Sequence, residues 1–337
     1  MFQKYFFTSM TRISDLESRP FEVRVLPQDQ WETGDYVVGE VISPSGNHLV
    51  VELPTGRMTE VMEGDLVVGA FGVRRATLEA VGDWQSIGDD GVMQAMTEGG
   101  LFGRVTSESF LADPMASMTY QGHVFRDEKK VCMQDFVPDI SETNYQCPTV
   151  MVVGTSMSCG KTTSIRSIIA QLKRSGLKVV GVKFAGAGQY HDILSMQDAG
   201  ADAIFDFVDV GLPSTVCPED EFRVSVHKLL AKIAAEKPDV VVAEAGASPL
   251  EPYNGSVVLD VIKDQICFTV ICASDPYSVL ALITSFGLHP DLVSGIATSD
   301  SAGVELVEKL TGVKALSLPQ RKSLQQLQEL LQEKLDF

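Results

Sequence analysis

The residues best suited to chemistry lie in one stretch, Val150-Met-Val-Val-Gly154-Thr-Ser-Met-Ser-Cys-Gly160-Lys161-Thr162-Thr163. An apolar run ends in small residues, after which a lysine and two threonines open a helical pattern. Small residues let successive backbone N–H groups turn inward around an anion. A helix N-terminus adds its dipole and its unpaired N–H groups. A strand, a Gly-bounded loop and Gly-Lys-Thr are the ingredients of a P-loop. Gly154, Thr155, Ser156, Ser158, Cys159, Gly160, Lys161, Thr162 and Thr163 are therefore the candidate phosphate-binding residues. Lys161 is placed to reach β- and γ-phosphates, and the Thr162 hydroxyl to ligate Mg²⁺. The usual spacing puts four residues between the two glycines. Here five separate Gly154 from Gly160, and Thr155 stands where the first glycine would fall.

Two further charged residues end apolar runs downstream. Lys183 closes Val179-Val-Gly-Val-Lys183, and Glu244 closes Val240-Val-Val-Ala-Glu244. Ligands bind at the carboxyl edge of a parallel sheet, so both are expected near Lys161. Lys161, Lys183 and Glu244 form the candidate catalytic set, and Thr162, Asp192 and Glu244 the candidate metal set. Asp198, Asp202, Asp206 and Asp209 read as a solvated acidic face. Cys159 reads as a small residue that fits the loop, with a redox thiol as the alternative. Arg74 and Arg75 read as a surface pair, with an anion clamp as the alternative.

Two regions must position these residues. The first ~145 residues carry short alternating runs: Phe21–Leu26, Tyr36–Ile42, His48–Leu53, Asp65–Phe71, Gly103–Val105 and Tyr120–Phe125. Turn signals separate them, among them Thr33-Gly34-Asp35, Pro44-Ser-Gly-Asn47 and Pro54-Thr-Gly56. Many short strands with Gly/Pro turns predict a small barrel or sandwich, with one helix over Asp90–Thr97. Val137–Pro148 reads as a linker. From Pro148 onward strands and helices alternate, the grammar of a parallel α/β sheet. Strands are expected at Thr149–Gly154, Lys178–Phe184, Ala203–Phe207, Asp239–Glu244, Ile266–Ala273, Leu292–Ala297 and Val313–Leu318. Leu324, Leu327, Leu330, Leu331 and Leu335 recur at helical spacing and predict a terminal helix packed on the sheet. The expected fold class is thus α/β: a parallel-sheet P-loop domain over 149–337 behind a smaller β-rich domain over 1–145.

Composition narrows the partners. The 337 residues are 45% apolar and 21% charged, with a net charge of −18. Both halves are acidic, which disfavours nucleic acid and anionic membrane surfaces. No apolar run approaches the ~18 residues of a membrane span, and the N-terminus does not read as a secretory signal. Six cysteines form no CxxC pair, and the histidines show no HExxH spacing. A dedicated zinc site is not expected. The expected location is the cytoplasm.

The loop Gly154-Thr-x-x-x-x-Gly160-Lys-Thr resembles that of dethiobiotin synthetase and its relatives. The likeness continues in Val179-Val-Gly-Val-Lys183-Phe-Ala-Gly-Ala-Gly188 and in Glu244-Ala-Gly246-Ala, and covers about 149–318. It implies that Lys183 occupies the place of a catalytic lysine. It also implies that Asp192 matches an Mg²⁺-binding aspartate, and that Glu244 is the acid of the later strand. Ser156, Met157 and Phe184 depart from that pattern, and Thr298 or Ser299 stands where the family has a base-recognising asparagine. Thr149–Asp206, with Asp198-Ala-Gly-Ala-Asp-Ala-Ile-Phe-Asp206, also resembles a two-domain P-loop family. Some members of that family are associated with D-amino-acid N-acetyltransfer.

These readings imply an ATP-dependent ligase or kinase, with Mg²⁺, acting on a small carboxylate-containing metabolite. A nucleotide and a small molecule are the expected partners, and a homodimer is compatible with the class. Two alternatives stay open at this point. One is a regulatory or chaperone-type NTPase; the other is an acetyl-CoA-dependent N-acyltransferase that uses the loop for the CoA diphosphate.

Overall fold

The computed structural model describes residues 4–43, 49–110, 112, 115–139, 144–246 and 248–335. The expected turn at Pro44–Asn47, residues 140–143 of the expected linker, and Ala247 lie outside them. The chain forms two compact units. The first comprises Met1–Asp139 with Ala187–His191 and Phe207–Cys217; the second comprises Ile140–Gly186, Asp192–Asp206 and Pro218–Phe337.

The first unit is built from β1 (Tyr5–Phe7), β2 (Glu22–Arg24), β3 (Tyr36–Ser43), β4 (Leu49–Glu52), β5 (Met58–Val61), β6 (Leu66–Phe71), β7 (Val73–Arg75), β8 (Ala80–Asp83), β9 (Val92–Ala95), β10 (Leu101–Glu108), β11 (Ser117–Arg126) and β12 (Lys129–Lys130). The strands β6-β3-β11-β9-β10 run side by side, and β10 pairs back onto β6 through Leu101↔Ala70 and Phe102↔Phe71. That pairing closes a barrel, which removes the unpaired edges an open sheet would leave. Val37, Val67, Phe71, Met93, Phe102 and Met118 fill its core. β4 and β5 form a separate hairpin. The expected helix over Asp90–Thr97 is instead strand β9. Met93 and Ala95 alternate inward while Val92 and Gln94 lie at half-buried positions, so pairing with β10 and β11 overrides local helical tendency.

The second unit holds β13 (Thr149–Gly154), β14 (Val179–Ala185), β15 (Ala203–Asp206), β16 (Val240–Ala245), β17 (Ile266–Cys272) and β18 (Leu292–Ser294) in one parallel sheet, ordered β15-β14-β16-β13-β17-β18. Its helices are α1 (Lys161–Arg174), α2 (Tyr190–Asp198, which belongs to this unit from Asp192 onward), α3 (Glu219–Ala235), α4 (Gly255–Val261), α5 (Pro276–Phe286), α6 (Ser301–Thr311) and α7 (Arg321–Leu335). Strands β13, β14 and β16 are buried throughout, as expected where helices cover both faces. Helix α7 turns Leu327 and Leu331 inward and packs on α1 and β17.

Two expected strands are shorter than their apolar runs. Leu292–Ala297 stops at Ser294, because Gly295 adopts φ +92° and turns the chain away. Val313–Leu318 contributes one bridge, Val293↔Ala315, in place of a strand. Among the described residues no helix is long and apolar enough to cross a membrane. The fold is therefore a parallel-sheet α/β P-loop domain preceded by a β-rich one.

Candidate functional site

Strand β13 delivers the chain into the loop 155–160, and α1 begins directly after it at Lys161. The loop is held from the neighbouring strand connections. The Thr155 N–H donates to the Cys272 carbonyl at 3.0 Å, and the Ser156 and Ser274 hydroxyls lie 2.6 Å apart. The Ile296 N–H donates to the Cys159 carbonyl at 3.1 Å. Ser158 has φ +58° and Gly160 φ +101°. Alternation of this kind turns backbone N–H groups toward a common centre. Gly160 and Gly295 approach so closely that a side chain fits at neither. A Cβ on Gly295 would stand 2.2 Å from the Cys159 carbonyl, and one on Gly160 2.8 Å from the Gly295 Cα. Gly295, absent from the sequence-based set, is thus part of the loop's support.

The Lys161 amine folds over the loop, donating to the Ser156 carbonyl at 3.0 Å and lying 3.8 Å from the Cys159 sulfur. Cys159 is fully buried, which favours the small-residue reading over an accessible redox thiol. Thr162 and Thr163 are exposed on the first turn of α1. Ser164 closes that turn by donating to the Gly160 carbonyl at 3.0 Å.

The register of the sheet assembles the charges. In the row across β15, β14, β16 and β13, Asp206 pairs with Lys183, Lys183 with Glu244, and Glu244 with Val152. Side chains at matched register share a face. Lys183, Glu244 and Asp206 are 9%, 7% and 0% exposed. Lys183 also makes an ion pair with Asp192 on α2. Burial by itself pulls the Lys183 pKa down. The carboxylates of Asp192, Glu244 and Asp206 outweigh it, so the amine is held charged above the usual lysine range. Burial pushes the Glu244 carboxyl up, against the opposing pull of Lys161 and Lys183.

The acidic run after β14 does not form one solvated face. Asp206 is buried beside Lys183, which corrects its sequence-based reading. Its signal was available: like Lys183 and Glu244, it stands at or near the carboxyl end of a strand. Asp202 pairs with Lys173 at 2.6 Å and caps the start of β14 through the Val179 N–H. Asp209 pairs with Arg12 in the first unit, and Asp198 is exposed. Arg74 is not a surface residue; it is buried and bonded to the Met96 carbonyl and Glu79. Thr298 is buried too, and its hydroxyl donates to the Leu316 carbonyl at 3.0 Å. Ser299 alone of that pair is exposed.

Strand connections run in opposite directions from β13 and β17, so the loop sits at a topological switch point, where ligands of open α/β sheets bind. The donor set suits a phosphate group: inward N–H groups, Lys161, and a hydroxyl at the helix start. Among the described residues no cluster of three or more His, Cys, Asp or Glu could cage a metal.

Sheet order, loop and charges together define a P-loop domain. Residues 137–277 match the family model described as the DUF1611 carboxy-terminal P-loop domain, a domain of unknown function. Several solved structures are similar in part. Chloroplast FtsY from Physcomitrella patens is 15% identical, with a TM-score of 0.38 over 59% of this chain and 70% of its own. HypB from Helicobacter pylori, in complex with nickel, is 17% identical, with a TM-score of 0.38 over 57% and 88%. A DUF1611 family protein from Anabaena variabilis is 13% identical, with a TM-score of 0.36 over 58% and 61%. No curated protein matches the sequence.

Proposed function

We propose that the chain is an Mg²⁺- and ATP-dependent phosphotransferase or ligase acting on a small carboxylate-containing metabolite. The observation that carries this reading is the buried Lys183, one strand from Glu244 and two from the loop strand. A loop that only binds a nucleotide does not need a second buried cation at the strand ends. Phosphoryl transfer does use one, because catalysis there is positioning plus electrostatic stabilisation of spreading charge.

In this reading the loop 154–163 holds the phosphates, with Lys161 on their outer oxygens. Thr162, Asp192 and Glu244 would be the residues that hold Mg²⁺. Bound Mg·ATP supplies the phosphoryl group. Lys183 neutralises charge on the acceptor side, and Asp192 and Glu244 fix its ammonium in place. An acceptor carboxylate is favoured because Lys183 is a point cation suited to bring an anion toward an anionic phosphate. Lys183, held above the usual lysine range, is then cationic at neutral pH, where the reaction would run.

The test is thermal stability against ATP, GTP, CTP and acetyl-CoA, each with and without Mg²⁺. A ligand at ~100 times its dissociation constant adds about 2.7 kcal/mol. An upward shift with Mg·ATP that disappears in Lys161→Ala supports the reading. A shift with acetyl-CoA alone overturns it in favour of acyl transfer, and a shift confined to GTP overturns the choice of nucleotide. Product analysis then separates transfer to a carboxylate from plain hydrolysis.

A further inference from the structure

Strand β15, at one edge of the parallel sheet, inverts the usual order of burial. Its apolar residues Ala203, Ile204 and Phe205 are half-buried, whereas the charged residue that ends it, Asp206, is fully buried. Aspartate is almost never fully buried unless it is paired, because an uncompensated carboxylate is costly away from water. The function proposed above gives Asp206 no part.

The register of the sheet supplies its counterpart. Asp206 is the partner of Lys183 across β15 and β14, and Glu244 is the partner of Lys183 across β14 and β16. Neighbouring strands lie about 4.8 Å apart, and side chains at matched register share a face. Lys183 thus stands between two carboxylates of the sheet. Asp192 on α2 adds a third through its ion pair with the same amine. The three differ in depth. The Asp192 side chain is 24% exposed, whereas Glu244 is 7% and Asp206 0% exposed. They differ also in what else is asked of them. In the proposed function Asp192 and Glu244 would hold Mg²⁺, and a carboxylate that serves a dication is a weaker counter-charge for a neighbouring ammonium. Asp206, the deepest of the three, lies outside that set.

We propose that Asp206 is a positioning residue for Lys183: a standing counter-charge that holds the ammonium at the strand ends while Asp192 and Glu244 serve Mg²⁺. That division of labour rests on the function proposed above, whereas the hold of Asp206 on Lys183 does not. Asparagine at position 206 keeps the size of the side chain and removes its charge, so it separates the electrostatic role from the packing role.

The test is a double-mutant cycle on the full chain, read as urea midpoints without nucleotide or Mg²⁺. Asp206→Asn and Lys183→Met should each lower the midpoint by about 1 M, the scale of breaking a buried pair. The double variant should fall by less than the sum of the two, since Asp206 is then no longer a buried carboxylate deprived of its cation. The same non-additivity should persist in an Asp192→Asn background, where Lys183 has lost its more exposed partner. Additive losses, as a merely structural Asp206 would give, overturn the proposal, and so does a coupling that vanishes once Asp192 is replaced. Should Asp206→Asn lower the yield of folded protein, adding Lys183→Met should restore it, and failure to restore it overturns the proposal. With saturating Mg·ATP, the Asp206–Lys183 coupling should be kept while the Asp192–Lys183 coupling shrinks. The reverse pattern overturns the division of labour. Absence of any Mg·ATP-dependent stability shift in the wild type is instead failure of the proposed function, and the cycle without ligand still decides whether Asp206 holds Lys183.

Discussion

Each unit buries a cluster of charged and polar side chains, and the two clusters differ in how their atoms are used. In the first, Asp35 Oδ2 accepts from the Glu32 N–H at 2.7 Å and from Lys130 at 2.9 Å, and lies 3.2 Å from His123 Nε2. The Tyr120 hydroxyl and His123 Nδ1 are 2.5 Å apart, and the Leu26 N–H donates to that hydroxyl at 3.1 Å. Trp31 and Phe71 pack their rings against Tyr120 and His123. These partners come from β3, β11 and the segments beside them, so the cluster locks strand register inside a closed barrel. In the second unit the charges of Asp206, Lys183 and Glu244 stand at strand ends, where the chain turns out of the sheet beside a glycine loop. Burial of charge alone therefore does not mark a candidate site. What separates the two is the place where the sheet's backbone bonding stops and donors remain for a ligand.

The largest effect that would test this contrast is on turnover. Lys161→Ala should lower Mg·ATP-dependent turnover by ~10²–10³-fold, the scale of losing one preorganised charge-stabilising donor. Its circular dichroism spectrum should be unchanged. Next comes Lys183→Met, which leaves Asp192, Glu244 and Asp206 without their shared cation. It should cost about 3 kcal/mol in urea unfolding, and adding Asp192→Asn should recover part of the loss, since one uncompensated carboxylate is gone.

The matching change in the first unit is Asp35→Asn, which leaves Lys130 and His123 short of an acceptor. It should cost about 2 kcal/mol, read by the fluorescence of Trp31 and Trp84, the chain's two tryptophans. The Mg·ATP-dependent stability shift should stay intact. If Asp35→Asn abolished that shift and Lys183→Met did not, the assignment of structural and chemical roles would be reversed.

The smallest expected effects are in pH dependence. The folded Lys183 pKa is raised, so its contribution is complete below the unfolded lysine value of about 10.4 and fades as pH rises through the folded value. The buried Glu52 carboxyl of the first unit accepts from the Ser9 hydroxyl and from the Tyr190 and His191 N–H groups, and its folded pKa is lowered. Its contribution is present above about pH 4.3, the unfolded glutamate value, and is lost as pH falls through the folded one. Urea midpoints of wild type and Glu52→Gln should accordingly converge in acid, and those of wild type and Lys183→Met in strong alkali.

Local sequence carried the loop and most of the second unit. Gly154, Gly160, Lys161 and Thr162 are contiguous, and parallel strands buried on both faces announce themselves as β-branched runs such as Val240-Val-Val. It failed where long-range pairing decides. Val92–Ala95 is short and of mixed propensity, and only its neighbours β10 and β11 make it a strand. It failed again at Asp206, one of five aspartates between 192 and 209, which only the sheet register distinguishes by setting it beside Lys183.

The sequence by itself thus determined the phosphate-binding grammar, the two-part α/β organisation and the strand ends at which Lys183 and Glu244 stand. Each of these depends on residues near one another in the chain. Closure of the barrel through β6 and β10, the approach of Gly295 to Gly160, and the bonds from the Tyr190 and His191 N–H groups to Glu52 within the first unit were decided only by tertiary structure. Those contacts join segments tens to more than a hundred residues apart. No local pattern encodes them, because a hydrogen bond or a van der Waals limit acts on distance in space and not on distance along the chain.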